Sequence, residues 1–437
     1  MTPIADPSPR KVGRRTASGR IALASDPQEL HRLADALLSE PGEASGVVLA
    51  RQILASYSAM PADHRLAFLK ILAERFGPDP AKLRQAIEKY RDDPGAATAS
   101  VLFAASEPPR QELIRRLNLS PGGTERLVRM REDVLANIRE HPELATVDRD
   151  FVHLLSSWFN RGFLQIRPID WTTPAHILEK VIRYEAVHEI SSWGELQRRL
   201  EPRDRRCFAF FHPAMPDEPL IFVEVALTTT IPGAIAPLLA DDRRPISPER
   251  ARTAVFYSIS NCQVGLKGIS FGNFLIKQVA EELKRDLPNL RTFVTLSPVP
   301  DFASWLKRER SAANPAFIRA AHRKALSAFD GGQWQSEPAA GKIVRTFLNK
   351  AAAYYFLRAK NGSGKPVDPV ARFHLGNGAR LERINWMGDK SSKGIRQSVG
   401  FMVNYRYDLG QVEKNHDAYA NRSEVVAARG IHKLIES

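Results

Sequence analysis

Only two cysteines occur among the 437 residues, Cys207 and Cys262, too few and too far apart for a disulfide framework. They suit a reducing compartment and supply no C-x-x-C pair for a metal. No run of about 18 apolar residues is present, so no membrane-spanning helix is expected. H-E-x-x-H, clustered Cys/His and an Ala-Met-Lys-Met biotin site are also missing, and neither metal nor organic cofactor is expected. No repeat period stands out. The net charge is +14, yet no basic block interleaved with aromatics occurs, because Lys and Arg are spread through helical segments. Such a charge favours an anionic partner, either nucleic acid, acidic lipid or a polyanionic small molecule. A solvated basic surface accounts for much of the excess.

What is present divides along the chain. Its length exceeds what one core usually holds, so two domains are expected. Residues 1–25 read as a disordered tail, with four arginines, one lysine, three prolines and two glycines. The tail lacks the apolar core of a secretory signal, and Asp6 and the prolines speak against a transit peptide. Leu434-Ile-Glu-Ser437 is no peroxisomal address, so the expected setting is cytoplasmic. Residues 26–165 read as an all-helical bundle. It begins at Asp26-Pro27-Gln28-Glu29, a capping aspartate with proline first and glutamate third. Further helices are expected at 47–60, 62–76, 80–90, 110–117 and 124–140, separated by Pro61, Gly77-Pro78, Pro94-Gly95 and Pro121-Gly-Gly123. Packing and homo-oligomerisation are its expected jobs. His64, His141 and His153 have no metal spacing and read as surface or packing residues.

From about residue 166 strands enter, at 207–211, 220–227, 254–260 and 291–297. A helix between the last two demands a crossover, hence a parallel or mixed sheet. Glu224 shares a strand face with Leu220, Phe222 and Ala226, which places it at an edge, at a domain contact or in a functional site. Residues 339–360 read as a long helix opened by Pro338. Asn361-Gly-Ser-Gly-Lys365 is a hinge or surface loop and no Walker loop, since Pro366 stands where Ser/Thr is required.

The second domain is organised around residues 254–306. Val255, Tyr257 and Ile259 alternate with Phe256 and Ser258 as a strand. Phe271, Phe274, Leu275, Val279, Leu283 and Leu287 then form a helical stripe. The glycine-rich loop between them would aim backbone N–H groups at a phosphate. Gln263-Val-Gly265-Leu-Lys-Gly268 approaches the Q/R-x-x-G-x-G/A loop with which GNAT-type acyltransferases hold a pyrophosphate. Gly268-Ile-Ser270-Phe-Gly272 matches G-x-S-x-G in form, but a nucleophile elbow needs a strand running straight into the serine.

Longer segments resemble one family. Leu296-Ser297-Pro298-Val299-Pro300-Asp301-Phe302 with Trp305 resembles the LSPIPGF-x-x-W segment of malonyl-CoA decarboxylases. Phe373-His374-Leu375-Gly376-Asn377-Gly378-Ala379, running on to Arg383-Ile384-Asn385-Trp386-Met387, also resembles that family. So do GFMVNYRY from Gly400, LLSSWFNRGFLQI near Leu154, EVALT from Glu224 and FYSIS-x-x-Q-x-GL-x-G from Phe256. The resemblance runs in order from about residue 154 to 407. It implies an α+β protein, a helical N-terminal domain followed by a GNAT-like α/β domain with a mixed sheet (residues 166–437). It implies cofactor-independent decarboxylation of malonyl-CoA to acetyl-CoA and CO2, with Ser297 and His374 as the catalytic pair and His374 the proton donor. Lys267, Gly268, Ile269, Ser270, Phe271, Gly272 and Asn273 match the family's CoA-contacting loop, and Ser258 and Tyr407 fall in matched segments suited to the acyl pocket. Asp301 departs from the family's glycine, and Ser270 stands at a position that is acidic in animal members. Two other readings remain at this stage: a GNAT-type acyltransferase, and a basic nucleic-acid-binding protein, which would leave Ser297 and His374 without purpose.

Overall fold

The computed structural model describes residues 23–271, 275–332 and 337–436. The chain falls into two compact units. One runs to Asn160 and takes in Pro213–Met215 and Gln263–Ser270, and the other holds the remaining residues. The 1–22 part of the expected tail, together with Gly272, Asn273 and Phe274, lies outside the described residues.

The first unit is helical. Asp26 caps its opening helix (Pro27–Ser39) as expected, its carboxylate accepting the Glu29 N–H at 2.8 Å. Asp79 does the same for Pro80–Asp92. Helices Glu43–Ala59, Ala62–Arg75, Pro109–Asn118 and Gly123–Asn137 follow the apolar periodicity and bury Ile53, Phe68, Leu72, Leu113, Leu117 and Leu127. Two more helices, Ala96–Ser106 and Ala145–Trp158, lie outside the expected helical segments, the first starting directly after the Pro94-Gly95 break. Ala96–Ser106 is apolar on all sides and buries none of its residues, so it carries no stripe to read.

In the second unit lies an eight-stranded mixed sheet. Strands β1 (Gln165–Pro168), β2 (Arg205–Phe211), β3 (Ile221–Thr228) and β4 (Thr253–Asn261) are antiparallel neighbours. The helix Leu275–Asp286 then crosses over, so β5 (Thr292–Thr295) runs parallel to β4. Strand β8 (Met402–Arg406) takes β5 and its continuation β6 (Ser297–Pro298) on one edge and β7 (Arg380–Asn385) on the other. This is the mixed sheet that the crossover helix demands.

Helices cover both faces. On the first face Ala175–Tyr184 and Trp193–Leu200 pack on Cys207, Ala209, Phe211 and Phe222, and Ala236–Leu239 packs on Val255, Tyr257, Val294 and Leu296. On the second face Leu275–Asp286, Phe302–Ser311, Pro338–Leu357 and Pro369–Gly376 cover Phe210, Val223, Phe256, Phe293, Tyr405 and Tyr407. The split of Phe293 from Val294 and Leu296 is the one the alternation requires.

Two expectations need correction. The alternation in β4 breaks after Phe256: Glu224 stands opposite Ser258 but Val225 opposite Phe256, so Tyr257 is the extra residue of a β-bulge. Ile259 therefore packs with Phe256 on the second face, not with Val255 and Tyr257. Glu224 is not at an edge. It is fully buried on an interior strand and accepts from Arg199 Nη1 at 3.2 Å. Burial and the nearby Glu185 carboxylate push its pKa up to about 8.

Candidate active site

The bulge coincides with a parting of strands. β4 pairs with β5 only over Thr253–Phe256, the last link being Leu296 N–H to the Phe256 carbonyl at 3.0 Å. Beyond it β4 keeps β3, while the other strand turns to β8. Side chains replace the ladder at this turn. The Tyr405 N–H donates to Thr295 Oγ1 at 3.1 Å, and Asn404 Nδ2 donates to the Thr295 carbonyl at 2.7 Å. Ser297 follows two residues after Thr295 and thus shares its face.

His374 arrives from a different element. The sequence places it in a loop, but it lies on the short helix Pro369–Gly376. Asp368 caps that helix through the Ala371 N–H at 2.7 Å and accepts the Tyr355 hydroxyl at 3.1 Å. The imidazole stacks on the Tyr405 ring, with centroids 4.6 Å apart. Its Nε2 lies 3.1 Å from Ser297 Oγ and its Nδ1 2.8 Å from the Tyr407 hydroxyl. Ser297 Oγ in turn donates to Thr295 Oγ1 at 2.8 Å. With that hydroxyl directed at Thr295, hydrogen-bond accounting makes Nε2 the protonated nitrogen and Tyr407 the donor to Nδ1. Ser297, His374 and Tyr407 are all buried.

No carboxylate contributes to this relay among the described residues. Burial alone pushes the His374 pKa down to about 3, so the imidazole is neutral. This departs from a hydrolytic triad, in which an aspartate orients the histidine and stabilises its cation. The depressed value has a consequence for stability. Unfolded, the histidine binds its proton below about 6.5, whereas in the folded protein it stays neutral down to about 3. The stabilising contribution is therefore complete above 6.5 and falls as pH drops through that window. Urea denaturation at pH 7 and pH 5 should show about 2 kcal/mol more acid loss for the native sequence than for His374→Gln. Equal losses would mean that the ring is protonated inside the fold.

Ser258 and the glycine loop sit elsewhere. The Ser258 hydroxyl, on the first face, donates to Glu185 with oxygens at 2.7 and 2.8 Å, and is not brought to Ser297. Lys267, Gly268, Ile269 and Ser270 belong to the segment grouped with the helical unit, and Phe271 to the sheet unit. Lys267, Gly268 and Ser270 are exposed and Gly268 has a φ of +82°, a left-handed conformation that favours glycine. Gly265 is a glycine for a different reason from the phosphate contact its motif suggested. It is buried, and a Cβ there would meet the Val128 carbonyl oxygen at 2.0 Å, while the Gly265 carbonyl accepts from Arg131 Nη1 at 2.7 Å. β4 ends at Asn261, well before Ser270, so no strand runs into that serine as an elbow requires. Thr295, Asn404 and Tyr405 were missed by sequence reasoning. Strand alternation from Ser297 marks Thr295, and Asn404 and Tyr405 lie inside the GFMVNYRY segment.

Fold and site together describe a two-unit α+β enzyme with a buried serine–histidine–tyrosine relay where two strands part. The family model for the malonyl-CoA decarboxylase C-terminal domain matches residues 162–437, and that for the N-terminal domain matches residues 76–159. The chain belongs to the malonyl-CoA decarboxylase family. It is 32% identical to the mitochondrial malonyl-CoA decarboxylase of Mus musculus, over 99% of this chain and 95% of that protein. With the enzyme of Anser anser anser the identity is 34%, over 87% and 81%. The crystal structure of malonyl-CoA decarboxylase from Rhodopseudomonas palustris is similar at 58% identity, with a TM-score of 0.90 over 94% of this chain and all of that one. That from Agrobacterium vitis gives 54% and 0.88, over 93% and 99%.

Proposed function

We propose that the chain decarboxylates malonyl-CoA to acetyl-CoA and CO2, with Ser297 and His374 acting on the acyl group. The observation that carries this reading is the neutral, Nε2-protonated His374 bonded to Ser297, both buried, with no carboxylate bonded to either among the described residues. The bond to the departing carboxylate breaks, and its electron pair moves into the thioester carbonyl as an enolate. With substrate bound, the Ser297 hydroxyl turns from Thr295 and, together with the imidazole N–H, donates to that oxyanion, and burial leaves the carboxylate poorly solvated. The negative substrate offsets the desolvation that keeps His374 unprotonated, so the imidazole can take up a proton and pass it to the enolate carbon. One proton from solvent is consumed per turnover. Every one of these steps uses side chains and the substrate's own carbonyl, so the scheme calls on no metal or organic cofactor. Tyr407 positions the ring. Lys267–Asn273 remains the proposed contact for the CoA phosphates, with Gly268 left-handed near its start.

Incubation with malonyl-CoA after chelator dialysis and with avidin present tests the reading. Acetyl-CoA and CO2 in equal amounts are expected. Free CoA and malonate would indicate hydrolysis, and recovery only with a metal or biotin would sink the mechanism.

Self-association is proposed for the helical unit, because the Ala96–Ser106 helix leaves Val101 and Phe103 largely exposed, the latter at 74%. A monomer by sedimentation at micromolar concentration would remove that proposal.

A further inference from the structure

A cavity of about 210 Å³ opens on the first face of the sheet, beside Trp193–Leu200, the start of β2 and Ala236–Leu239. Four arginines line it, Arg198, Arg199, Arg205 and Arg243. Three are matched by carboxylates. Arg198 lies 2.9 Å from Asp241, and Arg199 lies 2.7 Å from Glu195 and 3.2 Å from Glu224. Arg243 Nη1 reaches both Asp204 oxygens, at 2.8 and 3.0 Å.

Arg205 differs. It is 3% exposed and has no carboxylate within ion-pair distance among the described residues. Its guanidinium donates to the Leu238 carbonyl and stands 5.6 Å over the Tyr257 ring. Burial is the main cause that lowers its pKa and the nearby Arg243 cation adds to it, while Tyr257 and the more distant Asp204 and Glu224 carboxylates oppose the shift without cancelling it. An arginine nevertheless stays charged at any pH the fold survives. A buried cation bonded only to a carbonyl and a ring face, with a second cation lining the same cavity and those carboxylates beyond ion-pair distance, is incompletely compensated. A negative ligand between Arg205 and Arg243 would relieve both the desolvation and the repulsion. Planar guanidinium forks match carboxylate and phosphate oxygens in pairs.

We propose that this cavity is a binding site for a small oxyanion, a phosphate or a di- or tricarboxylate, held by Arg205 and Arg243. Its size is below the roughly 300 Å³ at which pockets for larger organic ligands begin, so a whole coenzyme is excluded. The site is separate from Ser297 and His374, which lie on the second face. It adjoins the β4 bulge through Tyr257, so occupancy holds Arg205 in place over that residue and stabilises the fold.

Thermal denaturation and calorimetry at constant ionic strength test this with two probes, inorganic phosphate and succinate, against chloride. At least one probe should raise the melting temperature saturably. Phosphate alone identifies phosphate-type ligands, succinate alone identifies carboxylates, and both support the shared chemistry. Arg205→Met and Ala240→Trp should each weaken binding by about tenfold or more, the scale of a lost charge-assisted pair or a filled cavity. Turnover should remain unchanged in both. Ala240→Trp keeps every charge, so it decides the matter even where Arg205→Met does not fold. No response to either probe, full affinity in Ala240→Trp, or displacement of the probe by free CoA would each overturn the proposal. None of these outcomes depends on which reaction the chain catalyses.

Discussion

Alanine in place of Ser297 or His374 is expected to lower turnover of malonyl-CoA by about 10²-fold or more, the scale of losing an oxyanion donor or an acid–base group. The two side chains are 3.1 Å apart and buried, so both would act on one transition state. Groups that act together are not additive, and the double variant should be little worse than the worse single one. Tyr407→Phe keeps the ring volume but removes the donor to Nδ1, so it should fall between the native enzyme and His374→Ala. Ser270→Ala should have a much smaller effect, because that serine stands in a loop with no strand leading into it. For a hydrolase the order reverses: Ser270→Ala abolishes activity, a serine-directed phosphonate labels Ser270, and free CoA replaces acetyl-CoA. Rates and product identity for these variants discriminate the two chemistries, with circular dichroism confirming that each is folded.

Gly378→Ala is expected to cost roughly 2–5 kcal/mol and to remove activity from whatever protein remains folded. Gly378 has a φ of +80° just past the helix that carries His374. Its N–H closes on the Leu375 carbonyl and the Ala379 N–H on the His374 carbonyl, both at 3.0 Å, so the glycine ends the helix in a left-handed cap. A Cβ there would sit 2.1 Å from the Val412 carbonyl oxygen. Left-handed strain and a backbone overlap therefore add, and neither is relieved by a rotamer change. The last turn must shift, and the imidazole shifts with it. Urea midpoints and turnover of Gly378→Ala measure the two effects. Native stability would show that the chain around Val412 yields easily.

The helical unit was legible because its signals are local. Asp26 with Pro27, Asp79 with Pro80 and the leucine stripes are readable within a few residues, and the structure follows them. Ala96–Ser106 was not legible as a helix, although Pro94-Gly95 marks its start, because an evenly apolar helix has no stripe. Strands of the sheet were legible as alternating runs, but their pairing was not. β8 lies about a hundred residues from β5, and what joins them is Asn404 and Thr295, polar residues that look like ordinary loop chemistry in sequence. The Ser297–His374 pairing came from the family resemblance. Composition and spacing could not have shown that a serine before proline and a histidine 77 positions later would meet. Gly265 and Gly268 look alike in sequence, yet one is fixed by close packing and the other by its backbone angle.

The extra residue at Tyr257 also constrains how this strand can change over evolutionary time. Deleting Tyr257 would leave Ser258 opposite Glu224, Ile259 opposite Val223 and Ser260 opposite Phe222 in an unbroken ladder, at the loss of the ring beside Arg205. The strands would then lose the irregularity that coincides with their parting. Substitutions along β4 can accumulate singly, each tested by its own fit. An added residue cannot, because it turns every later side chain to the other face, whereas the loss of Tyr257 alone is absorbed. Homologous chains should therefore vary in side chain through residues 253–261, carry no insertion there, and tolerate a single-residue gap only at the bulge.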